Sequence, residues 1–500
     1  MKFLSIKILK KKNITVIINS NRFEGCAFMK QISVNFNNPS TANNGKFQGW
    51  GTSLCWWANR IGYSPVLTQK SAELFYSKNG LNLNIMRYNI GGGDAPDHKH
   101  ITRTDSLIPG WLEYDKVSDE YVYNYEADTN QLNVLKACYD ATEKPYIEVF
   151  SNSPPYFMTK SGCSSGGEDP NKNNLKDDCY EWFAEYLANV TKYINNTLKL
   201  KVNSISPMNE PNTDFWKYES EKQEGCHFDS GESQNKIIIE TAKAIKRIGL
   251  NEIEIVASDE TSTSKALLAY KKYSSEAKSV IDRISTHTYN TRRIKTLGEL
   301  MKKEKRNLWM SETDWSHICG KNAGEMGAGL WIAKKIISDM NDLSPSAWVL
   351  WQVIDCHKSK DGYIGNKDSG IPDKTKGFWG IAFADHDTQE VLLTQKYYCM
   401  GQFSRYILPG DTIYHINKSV LCAANDKELK LVLVNDTTKA KNIFIELSET
   451  GKAYKTLKAI RTSGNVSDGE CWAEQPDEAI SDNAFIAKLK PQSVTTYILT

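Results

Sequence analysis

Between residues 47 and 407 the chain repeats one pattern: a short apolar run that stops on polar residues, then an amphipathic stretch. The runs lie at Phe47–Ser53, Leu83–Asn89, Tyr146–Ser151, Asn203–Met208, Glu254–Ser258, Arg283–Thr286, Leu308–Ser311 and Ala347–Trp351. Runs this short read as strands, and the stretches between them carry helical spacing. Leu175–Thr197 is the longest, with Trp182, Phe183, Tyr186, Leu187, Val190 and Tyr193 at i, i+3, i+4 positions. Ser233–Ile248, Ser264–Ala277 and Ala323–Met340 read the same way. Eight strands alternating with helices predict an α/β fold, a (β/α)8 TIM barrel with enlarged loops. A doubly wound open sheet is the alternative, but no G-x-G-x-x-G or G-K-[ST] turn follows an early strand.

After Leu408-Pro409-Gly410 the pattern changes to short β-rich runs separated by turn residues: Ile413–Ile416, Leu429–Val434, Asn442–Leu447, Ala453–Ile460, Ala484–Leu489 and Val494–Leu499. They predict a small antiparallel β-sandwich. Gln31–Phe36 is strand-like and precedes the barrel, so it is expected to complete that sandwich. The expected organisation is a tail or start-site extension over 1–30, a strand segment over 31–46, the barrel over 47–407 and the sandwich over 408–500.

The composition narrows the partners. The net charge is +2, which argues against nucleic acid, and no stretch approaches the length of a membrane span. The apolar run Ile14–Ile18 is shorter than the core of a secretory leader. A cytoplasmic location is therefore favoured, with secretion open if the natural start differs. The eleven cysteines show no close metal-type spacing, so no metal or organic cofactor is expected. Cys163 and Cys179 flank a polar loop and have the option of pairing in an oxidising compartment, though free thiols are the expectation. Asn189, Asn435 and Asn465 begin N-x-S/T sequons, relevant only on a eukaryotic secretory route. The 13 Trp and 24 Tyr supply flat faces suited to sugar rings as well as to a large core.

Catalytic groups of such barrels come from the C-terminal ends of strands. Three polar signatures stand there: Ser206-Pro207-Met208-Asn209-Glu210-Pro211, Leu308-Trp309-Met310-Ser311-Glu312, and Ser285-Thr286-His287-Thr288-Tyr289. Glycoside cleavage needs one carboxyl that stays protonated and one that stays ionised. Glu210 at the fourth strand and Glu312 at the seventh face each other across the barrel mouth. A spacing of about 5–5.5 Å makes such a pair retaining. Glu210 is then the acid/base, kept protonated by burial and by the charge of Glu312. Asn209 is positioned to bond a substrate 2-hydroxyl, and Tyr289 to donate to Glu312.

At these residues the sequence resembles glycoside hydrolase family 30, from about Lys30 onward. Gly49-Trp50-Gly51-Thr52-Ser53-Leu54-Cys55-Trp56-Trp57-Ala58-Asn59 is similar to the first-strand segment of the endo-β-1,6-galactanase subfamily. Arg87-Tyr88-Asn89-Ile90-Gly91-Gly92 and Ser151-Asn152-Ser153-Pro154-Pro155-Tyr156-Phe157-Met158 resemble its second and third strand ends. The resemblance implies Glu210 as acid/base, Glu312 as nucleophile, and Arg87 as a guanidinium that orients Glu312 and lowers its pKa. It implies Trp351 as a stacking floor and Tyr289 as a supporting residue; His287, from the sixth-strand signature, is a further supporting candidate. Trp56, Trp57, Asp94, Asn152 and Asp259 are candidate substrate contacts. The expected partner is an oligo- or polysaccharide, with β-1,6-galactan of arabinogalactan side chains first.

The loop Thr159–Asp178 departs from its counterpart in fungal galactanases. Other activities of the family therefore stay open: β-1,6-glucanase, β-glucosidase of the glycosylceramide type, or glucuronoxylanase. The last would use basic residues such as His317, Lys321, His357, Lys358 and Lys360. A sugar-binding protein without catalysis is a further alternative, opposed by the presence of both glutamates.

Overall fold

The computed structural model describes residues 7–11, 14–18, 29–476 and 479–500. Eight parallel strands close a barrel in chain order: Gly49–Ser53, Ile85–Asn89, Tyr146–Phe150, Val202–Ser206, Glu254–Ser262, Arg283–Asn290, Asn307–Glu312 and Ala347–Leu350. The eighth pairs with the first through Ala347–Gly49 to Leu350–Thr52. Each apolar run of the sequence falls on one of these strands, and helices flank them. The fifth and sixth strands extend beyond their apolar runs. Register shifts at Ser258/Glu260 and Thr286/His287 let the pairing continue past the point where apolar residues end. Such irregularities re-aim side chains and concentrate beside functional sites.

The helices differ from the sequence reading at their ends. Leu175–Thr197 yields an α-helix over Tyr180–Lys192 and a wider turn over Tyr193–Thr197. Ser264–Ala277 is broken into Thr263–Lys272 and Ser275–Val280, because the Ser274 hydroxyl accepts from the Ala277 amide at 3.0 Å and starts a second helix. A hairpin (Leu112–Asp115 with Glu120–Tyr123) sits in the loop after the second strand, and a three-stranded sheet (Ile354–Lys358, Ala382–Asp385, Glu390–Leu393) follows the eighth. Neither is legible in the sequence, since loop strands need not carry a continuous apolar pattern.

After the helix Gln395–Ser404 comes the second, β-rich unit. One antiparallel sheet orders Thr412–Tyr414, Val420–Ala424, Leu429–Asn435, Ser493–Leu499, Leu457–Ser463 and Glu470–Glu474. Val420–Ala424 and Glu470–Glu474 escape the sequence reading. The first is short and apolar on both faces, and the second is an edge strand with a Glu at each end. The facing sheet runs Lys7–Lys11, Ile14–Ile18, Met29–Ser33, Lys441–Glu446 and Ala484–Leu489. One of its pairings, Met29–Ser33 with Lys441–Glu446, is parallel rather than antiparallel. Two segments of the expected tail over 1–30 are therefore strands, and β-branched Ile14-Thr15-Val16-Ile17 suits that conformation. The rest of that stretch lies outside the described residues.

Alternation along Leu429–Asn435 joins the two units. Leu429, Leu431 and Leu433 pack into the sandwich core with Ile443, Ile445 and Phe485, while Val432 on the opposite face joins the main core. The Trp50 indole at the first barrel strand donates to Ile407 O at 2.8 Å on the way into the second unit.

The barrel seam is tight at Gly51. A Cβ there would stand 2.5 Å from both Ile85 Cβ and Ile85 O on the neighbouring strand. Gly51→Ala is expected to lower stability by about 1–3 kcal/mol, as overpacking does. A urea midpoint equal to wild type would contradict this reading of the seam.

Candidate active site

At the C-terminal rim of the barrel the polar strand ends converge on one cation. Arg87, on the second strand, is fully buried. Its Nη1 donates to Glu312 Oε2 at 3.0 Å, and its Nη2 to Asn209 Oδ1 and Asp259 Oδ2, each at 3.2 Å. Its Nε donates to Glu148 Oε1 at 3.2 Å, and the guanidinium lies 3.9 Å from the Phe150 ring centroid. Burial opposes the charge, but Asp259 and Glu312 more than offset it, so the Arg87 pKa lies above its ordinary value. A second buried guanidinium, Arg283, pairs with Glu148 from the other side, and Ser204 Oγ donates to Glu148 Oε2 at 3.0 Å.

Two backbone positions aim the acidic groups. Glu210 (φ 46°) and Asp259 (φ 54°) both occupy the left-handed region. This conformation costs of order 1–3 kcal/mol for a non-glycine residue and persists only where neighbours hold it. Here the Glu210 amide donates to Asp259 O at 2.8 Å, and the Trp216 indole donates to Glu210 O at 3.0 Å. Pro211 contributes from the sequence side by steering its preceding residue away from the helical region.

His287 bridges the acids. Its Nδ1 is 3.1 Å from Glu210 Oε1 and 3.4 Å from Glu312 Oε1, and its Nε2 is 3.6 Å from Asp259 Oδ1. Burial pulls its pKa down, but Glu312, Asp259 and Glu210 together push it up to about 10. It is an imidazolium at neutral pH. Burial likewise works against the Asp259 charge, and Arg87 and His287 outweigh it, holding that carboxyl below the usual range. Carboxylate oxygens of Glu210 and Glu312 lie within 4.8 Å of each other and of the imidazole nitrogen.

Glu312 takes a further bond, from Tyr289 OH to Oε1 at 3.0 Å. Burial, then the charges of Glu312 and Glu210, raise the phenol pKa well above its ordinary value, so Tyr289 remains a donor. Burial also raises the Glu312 carboxyl, while His287 and Arg87 act against the rise. The lowering expected from Arg87 is thus present in direction but smaller than the effect of burial.

The remaining sequence candidates divide. Trp351 is 7% exposed, and Trp56 supports it edge-on with ring centroids 4.9 Å apart. Trp56 is fully buried, so it packs behind Trp351 and offers no face to solvent. Trp57 is core: its indole donates to Ser53 O at 2.8 Å and its ring packs against Phe75, because the helix Trp57–Ile61 turns it inward. Asn152 is buried beside Cys55, with Oδ1 unpartnered among the described residues. Asp259 serves Arg87, His287 and Ser311 and does not reach the open cleft. Asp94 is bound to His98 and His100 in a separate cluster.

Glu148 and Arg283 were missed, as was Trp379, which with Trp315 and Tyr289 forms an aromatic wall at ring-centroid distances of 5.8–6.3 Å. The available signal was an ionisable residue inside an apolar strand run, Tyr146-Ile147-Glu148-Val149-Phe150, since buried charges occur almost only in pairs. All ten described cysteines are free, Cys163 and Cys179 included. No helix among the described residues is long and apolar enough to cross a membrane.

Comparison with known proteins gives the following. A sequence profile described as O-glycosyl hydrolase family 30 matches residues 32–365. An endo-beta-1,6-galactanase of Hypocrea rufa is 27% identical over 485 residues, spanning 91% of this chain and 92% of its own. An exo-beta-1,6-galactobiohydrolase of Bifidobacterium longum subsp. longum is 25% identical across 70% of this chain, a match covering 29% of that longer protein. Among solved structures, a conserved exported protein from Bacteroides fragilis superimposes with a TM-score of 0.72 at 18% identity, covering 94% of this chain and 100% of the other. The catalytic domain of xylanase C from Talaromyces cellulolyticus does so with 0.68 at 18% identity, covering 94% and 100%. At that identity the two structures speak to the fold alone.

His287 binds its proton more tightly in the folded chain than at its ordinary pKa of 6.5. Its contribution to stability is therefore complete below about pH 6.5 and is lost as the pH rises through about 10. The difference in urea midpoint between wild type and His287→Gln should shrink steadily over that window. A difference that grows with pH would rule out the imidazolium.

Proposed function

Since the chain belongs to glycoside hydrolase family 30, we propose that it cleaves β-1,6-galactan, such as arabinogalactan side chains, by double displacement with Glu312 as nucleophile and Glu210 as acid/base. The observation that carries the reading is the pair of carboxylates within 4.8 Å of each other, each with different partners. Retaining enzymes hold their carboxyls about 5–5.5 Å apart, too close for a water between carboxylate and sugar. Glu312 receives Arg87 on one oxygen and Tyr289 on the other, the setting of an anion aimed at an electrophile. Among the described residues the Glu210 side chain hydrogen-bonds to His287 alone, at 3.1 Å, without the guanidinium and phenol that Glu312 receives.

In the first step Glu312 attacks the anomeric carbon, the glycosidic C–O bond breaks, and Glu210 gives its proton to the departing oxygen. Water then attacks the glycosyl ester, Glu210 takes the proton of that water, and Glu312 leaves as carboxylate. Asn209 is oriented by Arg87 through Oδ1, which leaves its NH2 group for the sugar 2-hydroxyl. Trp351 supplies the floor of the cleavage subsite, and Trp315 and Trp379 the wall beside Glu312.

The galactan assignment rests on the two β-1,6-galactan-active relatives. A glucuronoxylan reading is less well supported, because two of its five basic residues, His357 and Lys358, are engaged elsewhere. His357 is buried against His386 at 3.0 Å, and burial with the charges of His386 and Arg60 holds its pKa well below the ordinary value. Lys358 pairs with Asp385 at 2.7 Å.

A panel of β-1,6-galactan, β-1,6-glucan and glucuronoxylan tests the substrate. Galactan should be cut fastest, with early product sizes reporting endo or exo action, and faster cleavage of either other glycan would reject the assignment. For the roles, Glu312→Gln should lose roughly 10³-fold or more in kcat while still binding oligosaccharide. Glu210→Ala should retain far more glycosylation activity on an aryl galactoside with a good leaving group than on galactan. Equal losses on both substrates would remove Glu210 from the acid role.

A further inference from the structure

A second cluster of reactive side chains lies outside the carboxylate centre, in the loops after the second and third barrel strands. Asp94, His98 and His100 come from the first loop, and Cys163 from the loop Thr159–Asp178. One donor atom from each of the four lies within 4.8 Å of every other. Asp94 Oδ1 is 3.1 Å from His98 Nδ1, Asp94 Oδ2 is 3.4 Å from His100 Nε2, and Cys163 Sγ is 3.6 Å from that same Nε2. We propose that Asp94, His98, His100 and Cys163 form a tetrahedral Zn²⁺ site that staples these two loops together.

Distance, chemistry and convergence support the assignment separately. Zinc bonds of about 2.0–2.1 Å to nitrogen or oxygen and about 2.3 Å to sulfur put adjacent donors of a tetrahedron roughly 3.3–3.6 Å apart. The contacts of His100 Nε2 with Asp94 Oδ2 at 3.4 Å and with Cys163 Sγ at 3.6 Å match those edges, and His98 Nδ1 lies 3.1 Å from the other oxygen of the same carboxylate. The donor set, one thiolate, two imidazoles and one carboxylate, suits zinc rather than the hard cations, which prefer oxygen alone. The four side chains converge from two loops, with Cys163 Sγ also 3.2 Å from Ser165 Oγ and Asp94 Oδ1 also accepting from the Ala95 amide at 3.0 Å. A divalent cation at the centre would engage one donor of each of the four side chains at once. On binding, Cys163 loses its thiol proton to solvent and becomes the sulfur ligand.

The site has a clear mechanical setting. The Ser164 amide donates to Asp94 Oδ1 at 3.3 Å, so the loops already touch at the cluster. The Gly225 amide donates to Ser164 O at 2.8 Å, and Glu224 accepts from the Gly92 amide at 2.9 Å, which ties in the loop after the fourth strand. Asp94 and Ser164 also line a cavity with Tyr114, Tyr121 and Tyr156. A cation here would fix the wall of that groove and take no part in bond cleavage. The cluster is absent from the sequence as a motif because Cys163 lies far along the chain from the His-x-His pair.

The test uses full-length, tag-free protein, stripped with chelator and titrated with Co²⁺ and then Zn²⁺. Wild type should take up about one equivalent, show a thiolate-to-cobalt charge-transfer band with the visible intensity of a tetrahedral ion, and rise in thermal midpoint with zinc. Cys163→Ser should lose the charge-transfer band, and His98→Gln should weaken zinc retention by roughly tenfold or more, with circular dichroism confirming that both fold. X-ray absorption at the zinc edge of wild type needs no variant. One sulfur with nitrogen and oxygen in a four-coordinate shell supports the site. No retained metal, a shell without sulfur or with several sulfurs, or spectra unchanged in Cys163→Ser would each overturn it.

Discussion

The rim of the barrel is organised around the buried guanidinium of Arg87. It is held by Glu148 of the third strand, Asp259 of the fifth, Glu312 of the seventh and Asn209 just beyond the fourth. A buried charge without its partner costs about 3–5 kcal/mol, so these contacts constrain the strands that carry them. Arg283 takes the far side of Glu148 and extends the same network deeper into the barrel. Glu312 is therefore fixed in part through Arg87 and Glu148, both fully buried.

From that centre outward, geometry is traded for local strain. Glu210 and Asp259 sit in a backbone region that L-residues avoid, and a hydrogen bond between their main chains holds both there. The arrangement brings Glu210 within reach of His287, whose positive charge is itself sustained by three carboxylates. Charge, backbone conformation and strand register thus act on the same few atoms. This is preorganisation: the groups around the two glutamates are oriented before any sugar arrives.

The loops behave differently from the strands. The loops after the seventh and eighth strands bring Trp315 and Trp379 beside Tyr289, while those after the second and third line a cavity with Asp94, Tyr114, Tyr121 and Ser164. Loops vary while a barrel stays the same, so substrate choice belongs to them and reaction type to the strand ends.

The sequence alone determined the barrel, because eight buried strands must each be apolar and each must be separated by a helix. It also placed Glu210, Glu312 and Arg87 at strand ends, and the structure brings the three to one rim around His287 and Asp259. The left-handed turn at Glu210 was partly legible through Pro211. Glu148 and Arg283 were hidden inside apolar runs, where period and propensity say nothing about charge pairing. Trp57 reads like its neighbour Trp56, yet Trp57 packs on Phe75 in the core and Trp56 on Trp351, a difference set at the start of one short helix. Only tertiary structure decided that His287 is charged and that burial outweighs Arg87 at Glu312. It alone also brought Cys163 against Asp94 and two histidines. Each of these depends on distances between segments remote in the chain, and no local pattern encodes them.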